Sequence, residues 1–115
     1  MKSFITTHVL DTSKGKPASG ITVTLEILDK SKEWTKVSSG TTDPDGRIND
    51  FFPDGIPFEK GIYRLMFDTA PYFRSIQAES FYPYIQIVFE LKESSRHYHI
   101  PLLLSPYGYS TYRGS

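Results

Sequence analysis

The sequence predicts an all-β fold, a β-sandwich with one short α-helix, and three observations support it. The 115 residues include eight Tyr, eight Phe, eight Gly and eight Pro, a composition that favours pleated surfaces and sharp turns over helices. Apolar and polar residues alternate with a period of two in several segments. Turn sequences separate these segments at the short spacing typical of a sandwich. The chain length predicts a single domain, residues 1–115, around one core.

The predicted strands follow from the alternation of apolar and polar residues. In the first strand Ile5, Thr7 and Val9 share one face, so His8 lies on the opposite face. The alternation in residues 21–27 is the clearest in the chain. Further strands are predicted at residues 63–67, 85–91 and 98–104, and a polar, strand-like segment at residues 110–115.

Turn sequences rich in Gly, Pro and Asp separate these strands. They lie at residues 14–17, 43–46, 52–55 and 105–108. A Ser/Lys-rich segment, residues 30–36, also predicts a hairpin turn. The one predicted helix begins near Thr69, a candidate N-cap, carries Pro71 in its first turn and ends before Phe81.

Charge and composition exclude several classes of function. Thirteen Lys and Arg balance thirteen Asp and Glu, so no charge excess favours nucleic acid or an anionic membrane. The absence of cysteine excludes disulfides, thiolate nucleophiles and zinc fingers. No apolar run reaches the roughly 18 residues of a membrane helix, and the first residues lack a signal-peptide pattern. We therefore expect a soluble protein, with the cytoplasm as the default compartment and the peroxisome or periplasm as alternatives.

Polar side chains on the outer faces of strands are the candidates for chemistry. Parity places His8 on the outer face of the first strand, and the same rule places four residues of the late strand there: His97, His99, Pro101 and Leu103. A lone outward His is more often a solvated surface residue than a catalytic one. Two such residues indicate a site only if they converge.

Arg47 and a possible metal site complete the candidates. Arg47 directly follows the Asp-Pro-Asp-Gly turn and starts a strand, where it is either a solvated charge or an anion-binding group. His97 and His99 have a spacing that can chelate a metal, and His8 would complete a three-His zinc site. That signal is weak because no carboxylate accompanies it. We predict that the protein needs neither a metal nor a cofactor.

Three segments carry a resemblance to a known family. They are His8-Val9-Leu10-Asp11-Thr12, Asp45-Gly46-Arg47, and a stretch from His97 through Pro106 that runs into Tyr112-Arg113-Gly114-Ser115. With these motifs the chain resembles the transthyretin-related 5-hydroxyisourate hydrolases of urate catabolism over nearly its whole length. The resemblance implies a prealbumin-like antiparallel β-sandwich of two four-stranded sheets. It also implies a homotetramer whose active sites lie in a channel at the dimer–dimer contact.

The resemblance further implies the reaction and its residues. His8, Arg47 and His99 match positions that line the channel, Tyr112 matches a substrate-contacting Tyr, and Ser115 closes the pocket and is counted with the catalytic positions. The implied reaction is hydrolysis of 5-hydroxyisourate to 2-oxo-4-hydroxy-4-carboxy-5-ureidoimidazoline. A neutral imidazole takes the proton of water, and a guanidinium binds the anion and holds the charge on the oxygen. Either His8 or His99 is the base.

Two other functions fit the same sequence. A transthyretin-like carrier of a small ligand has the same fold without catalytic activity, and it favours an apolar channel over one with two imidazoles and a guanidinium. A zinc-dependent hydrolase is the second alternative.

Overall fold

The structure, a computed structural model, describes residues 5–51, 59–92 and 97–114. These residues form two β-sheets and one short helix, which confirms the predicted sandwich. The strands, in chain order, are β1 (Ile5–Asp11), β2 (Lys16–Pro17), β3 (Thr22–Leu28), β4 (Trp34–Thr41), β5 (Arg47–Ile48), β6 (Gly61–Asp68), β7 (Ile85–Leu91), β8 (Tyr98–Ser105) and β9 (Gly108–Thr111).

One sheet has the order β4-β3-β6-β7 and is antiparallel throughout. The other has the order β2-β1-β8-β9, and β5 also pairs with β1. Because β8 occupies one edge of β1, the two-residue strands β5 and β2 lie one after the other along its opposite edge. This sheet is therefore four strands wide, as the resemblance implies. Its central pair, β1 with β8, is parallel, whereas its other pairs are antiparallel.

The core lies between the two sheets, and the apolar residues of the predicted alternating strands fill it. Val9 of β1 and Leu102 of β8 are fully buried, as are Val23 and Leu25 of β3 and Leu65 of β6. Burying one such aliphatic side chain contributes roughly 1.5–3 kcal/mol relative to leaving it exposed. Since β-strands alternate faces, burial of one set fixes the neighbouring residues of β1 and β8 on the outer face of their sheet.

The helix α1 (Ala70–Ser75) follows β6 and packs Phe73 into the core. Thr69 occupies the predicted N-cap position, but its side chain makes no cap hydrogen bond; its Oγ1 lies 3.4 Å from the carbonyl oxygen of Tyr82. The neighbouring Tyr72 hydroxyl donates to Oδ2 of Asp11 at 2.6 Å and ties the helix to β1.

Asp11 is a fully buried carboxylate. The Ser13 hydroxyl and backbone N–H both donate to its Oδ1. Burial alone would raise the pKa of Asp11, but the hydrogen bonds from Ser13, Tyr72 and Lys14 outweigh it, so the pKa is lowered. Burial and the Asp11 carboxylate raise the pKa of the Tyr72 hydroxyl. Asp11 therefore remains ionised while it joins β1 to α1.

Four sequence predictions need correction or fall outside the description. The Ser/Lys-rich segment ends its turn before Trp34, where β4 begins. The terminal strand ends at Thr111, and Gly114, the last described residue, returns to the sheet in a bridge to His99. Pro101 lies on the outer face, in register with His8 as strand parity predicts, yet it is buried there rather than exposed. The predicted turn at residues 52–55 lies outside the described residues.

No helix among the described residues has the length and apolarity needed to cross a bilayer.

Candidate active site

His8 and Arg47 lie opposite each other on β1 and β5. Directly paired residues of an antiparallel ladder project from the same face, so the two side chains are neighbours on the outer face of the sheet. The turn before β5 fixes this pairing: Gly46 has φ +76° and accepts a hydrogen bond from the Val9 N–H at 2.8 Å. A Cβ at Gly46 would collide with the Val9 carbonyl oxygen, so only glycine brings the turn this close to β1.

The same turn orients the His8 ring. Nε2 of His8 lies 2.8 Å from the carbonyl oxygen of Asp45. A carbonyl oxygen only accepts, so Nε2 carries the hydrogen, and in the neutral ring Nδ1 keeps the lone pair. The pKa of His8 is lowered by burial and by the Arg47 charge, against the opposing effects of the Asp45 carbonyl and of the Asp43 and Asp45 carboxylates. His8 is therefore a neutral proton acceptor at pH 7.

The Arg47 guanidinium is exposed beside this imidazole. Its backbone is fixed, since the Arg47 N–H donates to Oδ1 of Asp43 at 2.9 Å and the Arg47 carbonyl accepts from the Asp43 N–H at 3.0 Å. In the described part of the chain the one ion pair is Arg64 with Glu26, on the other sheet. Arg47 thus combines a fixed backbone with a guanidinium that forms no ion pair with a described carboxylate.

His99 reaches the same face from β8. The parallel register pairs Thr6 with His99, and the ring centroids of His8 and His99 lie 6.5 Å apart. The Thr6 hydroxyl lies 2.8 Å from Nδ1 of His99 and 3.0 Å from Nε2 of His97. The side chains of Thr6, His97 and His99 therefore form one hydrogen-bonded group, and Thr6 is buried at its centre.

The last described residues pack against His99. The Gly114 N–H donates to the His99 carbonyl at 2.8 Å, and the Thr111 hydroxyl donates to the Pro101 carbonyl at 2.7 Å. A Cβ at Gly114 would lie 2.7 Å from Cδ2 of the His99 ring, so this glycine leaves the space that the ring occupies.

Tyr112 and Arg113 lie between these two contacts at a cleft of about 260 Å³, which His99 and Glu90 also line. Tyr112 is 59% exposed, and the Arg113 guanidinium lies 5.0 Å from the centre of the Tyr98 ring.

The structure brings His8, Arg47 and His99 together and places Tyr112 near His99. Ser115 lies outside the described residues. The sequence interpretation gave no role to Thr6, although strand parity places it beside His8. Among the described residues no three side chains of the metal-binding types converge, and the Thr6 hydroxyl lies between the nitrogens that a zinc site would use.

Comparison with known proteins supports the sequence resemblance. The model of the HIUase/Transthyretin family matches residues 5–114. The chain is 46% identical, over 111 residues, to a probable 5-hydroxyisourate hydrolase of Caenorhabditis elegans, covering 96% of this chain and 81% of the relative.

Solved structures of both kinds of protein share the fold. Sea bream transthyretin in complex with thyroxine has a TM-score of 0.91 at 31% identity, covering 97% of this chain and 95% of the other. Klebsiella pneumoniae 5-hydroxyisourate hydrolase has a TM-score of 0.81 at 35% identity, with both chains covered completely. Because carrier and enzyme share one backbone, the side chains of the site must distinguish them.

Proposed function

Because the chain belongs to the HIUase/Transthyretin family, we propose that it hydrolyses 5-hydroxyisourate to 2-oxo-4-hydroxy-4-carboxy-5-ureidoimidazoline. The observation that carries this proposal is the group of two imidazoles and one guanidinium on the outer face of the β1–β8 sheet. When water attacks a carbonyl carbon and opens the six-membered ring, the reaction needs a base to take the proton of that water, a positive group to stabilise the charge on the carbonyl oxygen and a proton donor for the departing nitrogen. This group supplies all three functions.

His8 is the base in this proposal. Its Nε2 is committed to the Asp45 carbonyl, which leaves the Nδ1 lone pair as its proton acceptor. The lowered pKa keeps the ring neutral at pH 7, where a base must be unprotonated to act. A positioned base contributes about 10²- to 10⁴-fold to the rate.

Arg47 binds the urate-like anion and stabilises the negative charge that develops on the carbonyl oxygen. Its position opposite His8 supports this role, since the water and the oxygen are bonded to the same carbon during the attack. Removing one such donor typically costs about 10²- to 10³-fold in kcat. His99, whose ring centroid lies 6.5 Å from that of His8, donates a proton to the departing nitrogen. Tyr112 and Ser115 position the ring of the substrate.

We further propose that the site is completed in a homotetramer, in a channel at the dimer–dimer contact. The half-buried Leu10 and Leu103 share the outer face with the two imidazoles. Phe81 is 71% exposed and Tyr107 66% exposed, which is unusual for large side chains unless another subunit covers them. Light scattering tests the assembly, and a stable monomer at micromolar concentration would contradict it.

A ring-opening assay tests the reaction. Freshly generated 5-hydroxyisourate loses its near-ultraviolet absorbance spontaneously, and the protein should accelerate that loss. The likeness to the thyroxine complex of sea bream transthyretin makes a carrier the second candidate. An unchanged spontaneous decay, with saturable binding of a small aromatic ligand, would favour the carrier. A metal-free preparation should retain full activity, and loss of activity on chelation would favour the zinc-dependent alternative.

A further inference from the structure

The Thr6 hydroxyl joins two imidazoles. Its oxygen lies 2.8 Å from Nδ1 of His99 and 3.0 Å from Nε2 of His97, both ordinary hydrogen-bond distances. Thr6 is 3% exposed and paired with His99 in the parallel register, so the backbone fixes its position. His97, by contrast, is exposed to solvent.

Counting hydrogens limits what this group can do. A hydroxyl has one hydrogen and two lone pairs. The two rings are the partners of the Thr6 hydroxyl among the described residues, so its hydrogen finds an acceptor only when Thr6 donates to one ring nitrogen and accepts from the other. If Nε2 of His97 carries hydrogen, Thr6 accepts from it and donates to Nδ1 of His99, and the neutral His99 ring then carries its hydrogen on Nε2. If Nδ1 of His99 carries hydrogen, the order is reversed and Nε2 of His97 becomes the acceptor.

Charging both imidazoles is therefore unfavourable. An imidazolium carries hydrogen on both nitrogens, so the Thr6 oxygen would accept from two donors while the hydrogen of this buried hydroxyl lost its acceptor. The two like charges would also repel each other across one side chain. When His97 is charged, the group favours a neutral His99 with its proton on Nε2. When His99 is charged, the group favours a neutral His97.

We propose that His97, Thr6 and His99 share one labile proton, and that His97 and Thr6 are positioning residues that set the protonation of His99. This inference rests on the proposed hydrolysis for its consequence. His99 gives its Nε2 proton to the departing nitrogen as the C–N bond breaks. The Thr6 hydrogen then passes to Nδ1 of His99, and the Nε2 proton of charged His97 passes to the Thr6 oxygen. His97 ends neutral and regains a proton from solvent.

The other ionisable groups near His99 are few among the described residues. The His8 ring of β1 lies 6.5 Å from the His99 ring, measured between centroids, and Arg47 lies beside His8. Glu90 of β7 lines the cleft, and so does Arg113, beyond β9. Any of these changes the charge near His99, whereas Thr6 links it to His97 by hydrogen bonds at both rings.

Three variants of the full-length protein isolate the hydroxyl. Thr6→Val keeps the shape and removes the hydroxyl, whereas Thr6→Ser keeps it. Thr7→Val is the matched control, because the Thr7 hydroxyl donates to the Ile100 carbonyl on the other face of the same strand. The ring nitrogens of His97 and His99 are followed by ¹⁵N NMR as a function of pH, without substrate, and the pH profile of kcat is measured alongside.

In the wild-type protein we expect the two rings to carry their hydrogen on the same type of nitrogen when both are neutral. Thr6→Val should remove this matching of the tautomers and lower kcat about 10- to 100-fold with KM little changed, as expected for a lost hydrogen bond to a charged group. Thr6→Ser should restore both properties, and Thr7→Val should leave them unaltered.

Two outcomes separate this inference from the proposed function. If the rings are unlinked in the wild-type protein, or if Thr6→Val leaves both the tautomers and kcat unaltered in a protein that opens the ring, the shared proton is wrong and the hydrolase stands. If the rings are linked but the wild-type protein does not open the ring, the shared proton stands and the hydrolase is wrong.

Discussion

His8 and His99 face each other across neighbouring strands, yet different kinds of partner hold them. A backbone carbonyl accepts from Nε2 of His8, and a carbonyl has no hydrogen to return. A hydroxyl meets Nδ1 of His99, and a hydroxyl both donates and accepts. The first ring is therefore fixed in one neutral tautomer, whereas the second has two.

This difference assigns separate tasks to two chemically identical side chains. A ring with one permanent tautomer is suited to receive a proton at one nitrogen in every turnover. A ring whose partner reverses its hydrogen bond is suited to release a proton and be recharged from the opposite side. In the proposed reaction, the environment of each imidazole thus sets its role.

The strongest test of this comparison removes each ring in turn. We expect His8→Ala and His99→Ala each to lower kcat about 10²- to 10⁴-fold, because each removes a positioned proton-transfer group. Both side chains lie on the outer face of the sheet and are only half-buried, so the variants should remain folded by circular dichroism. Lys36→Ala, on an exposed position of β4, is the control. A variant that unfolds would show that its imidazole is structural.

The second test separates the supports of the two rings. Gly46 has φ +76°, and a Cβ there would collide with the Val9 carbonyl oxygen. Gly46→Ala should therefore lower the free energy of unfolding by at least about 1–2 kcal/mol, the strain of a left-handed residue. A Cβ at Gly114 would collide with the His99 ring, so Gly114→Ala should lower kcat. Its loss of stability should be smaller than that of Gly46→Ala.

Gly108→Ala is the matched control for both glycines. Its Cβ would have 3.8 Å to the nearest atom, Oγ of Ser105, and so fits without strain. Thermal unfolding and kcat are measured for all three variants. Equal losses of stability in Gly46→Ala and Gly114→Ala would contradict the assignment of Gly114 to the ring rather than to the fold.

The third test concerns the attachment of β1, the strand that carries His8. The hydrogen bonds to Asp11 lower its pKa below 3.8, so they stabilise the folded state above that pH, and the stabilisation is lost as the pH falls below it. Asp11→Asn should lower stability at pH 7 by about 1–3 kcal/mol, with less difference from wild type in acid. Urea unfolding at several pH values measures this, with the exposed Asp68→Asn as control. A difference that does not vary with pH would exclude an ionised Asp11.

The smallest expected effect is a shift in one titration. The Arg47 charge contributes to the lowered pKa of His8, so Arg47→Gln should raise that pKa toward 6.5. The ¹⁵N titration of the His8 ring measures the shift without needing turnover. Arg113→Gln is the matched control, because it removes a guanidinium on the His99 side. No shift in Arg47→Gln, or an equal one in Arg113→Gln, would mean that Arg47 does not act on His8.

Much of the fold follows from local patterns in the sequence. Strand alternation correctly gives the buried faces of β1, β3, β6 and β8 and the outward positions of His8 and His99. It does not predict β4, because residues 34–41 hold few apolar side chains. This strand lies at an edge of its sheet, where its side chains are mostly exposed or half-buried. It gives the face of Pro101, which is in register with His8, but not its burial, since parity describes one sheet and not what lies over it.

The arrangement of the candidate site depends on long-range geometry that no local pattern contains. The parallel register of β1 and β8 places Thr6 beside His99, and neither segment alone indicates this pairing. Thr6 is one of several threonines in the chain, and only its distances to two imidazoles distinguish it. The tautomer of His8 likewise depends on a turn that reaches it from 37 residues away.

The parallel pair of β1 and β8 also bears on how the protein acquires activity during folding. Thr6 and His99 are 93 positions apart in the chain, so the strands that carry the two imidazoles of the proposed site meet only after a long loop has closed. During synthesis His8 and Arg47 emerge before His99, so a nascent chain that ends before β8 lacks the second imidazole of the site. Recovery of turnover during refolding should therefore coincide with the pairing of β1 and β8, and the enzyme's own substrate becomes a reporter of when these two strands have met.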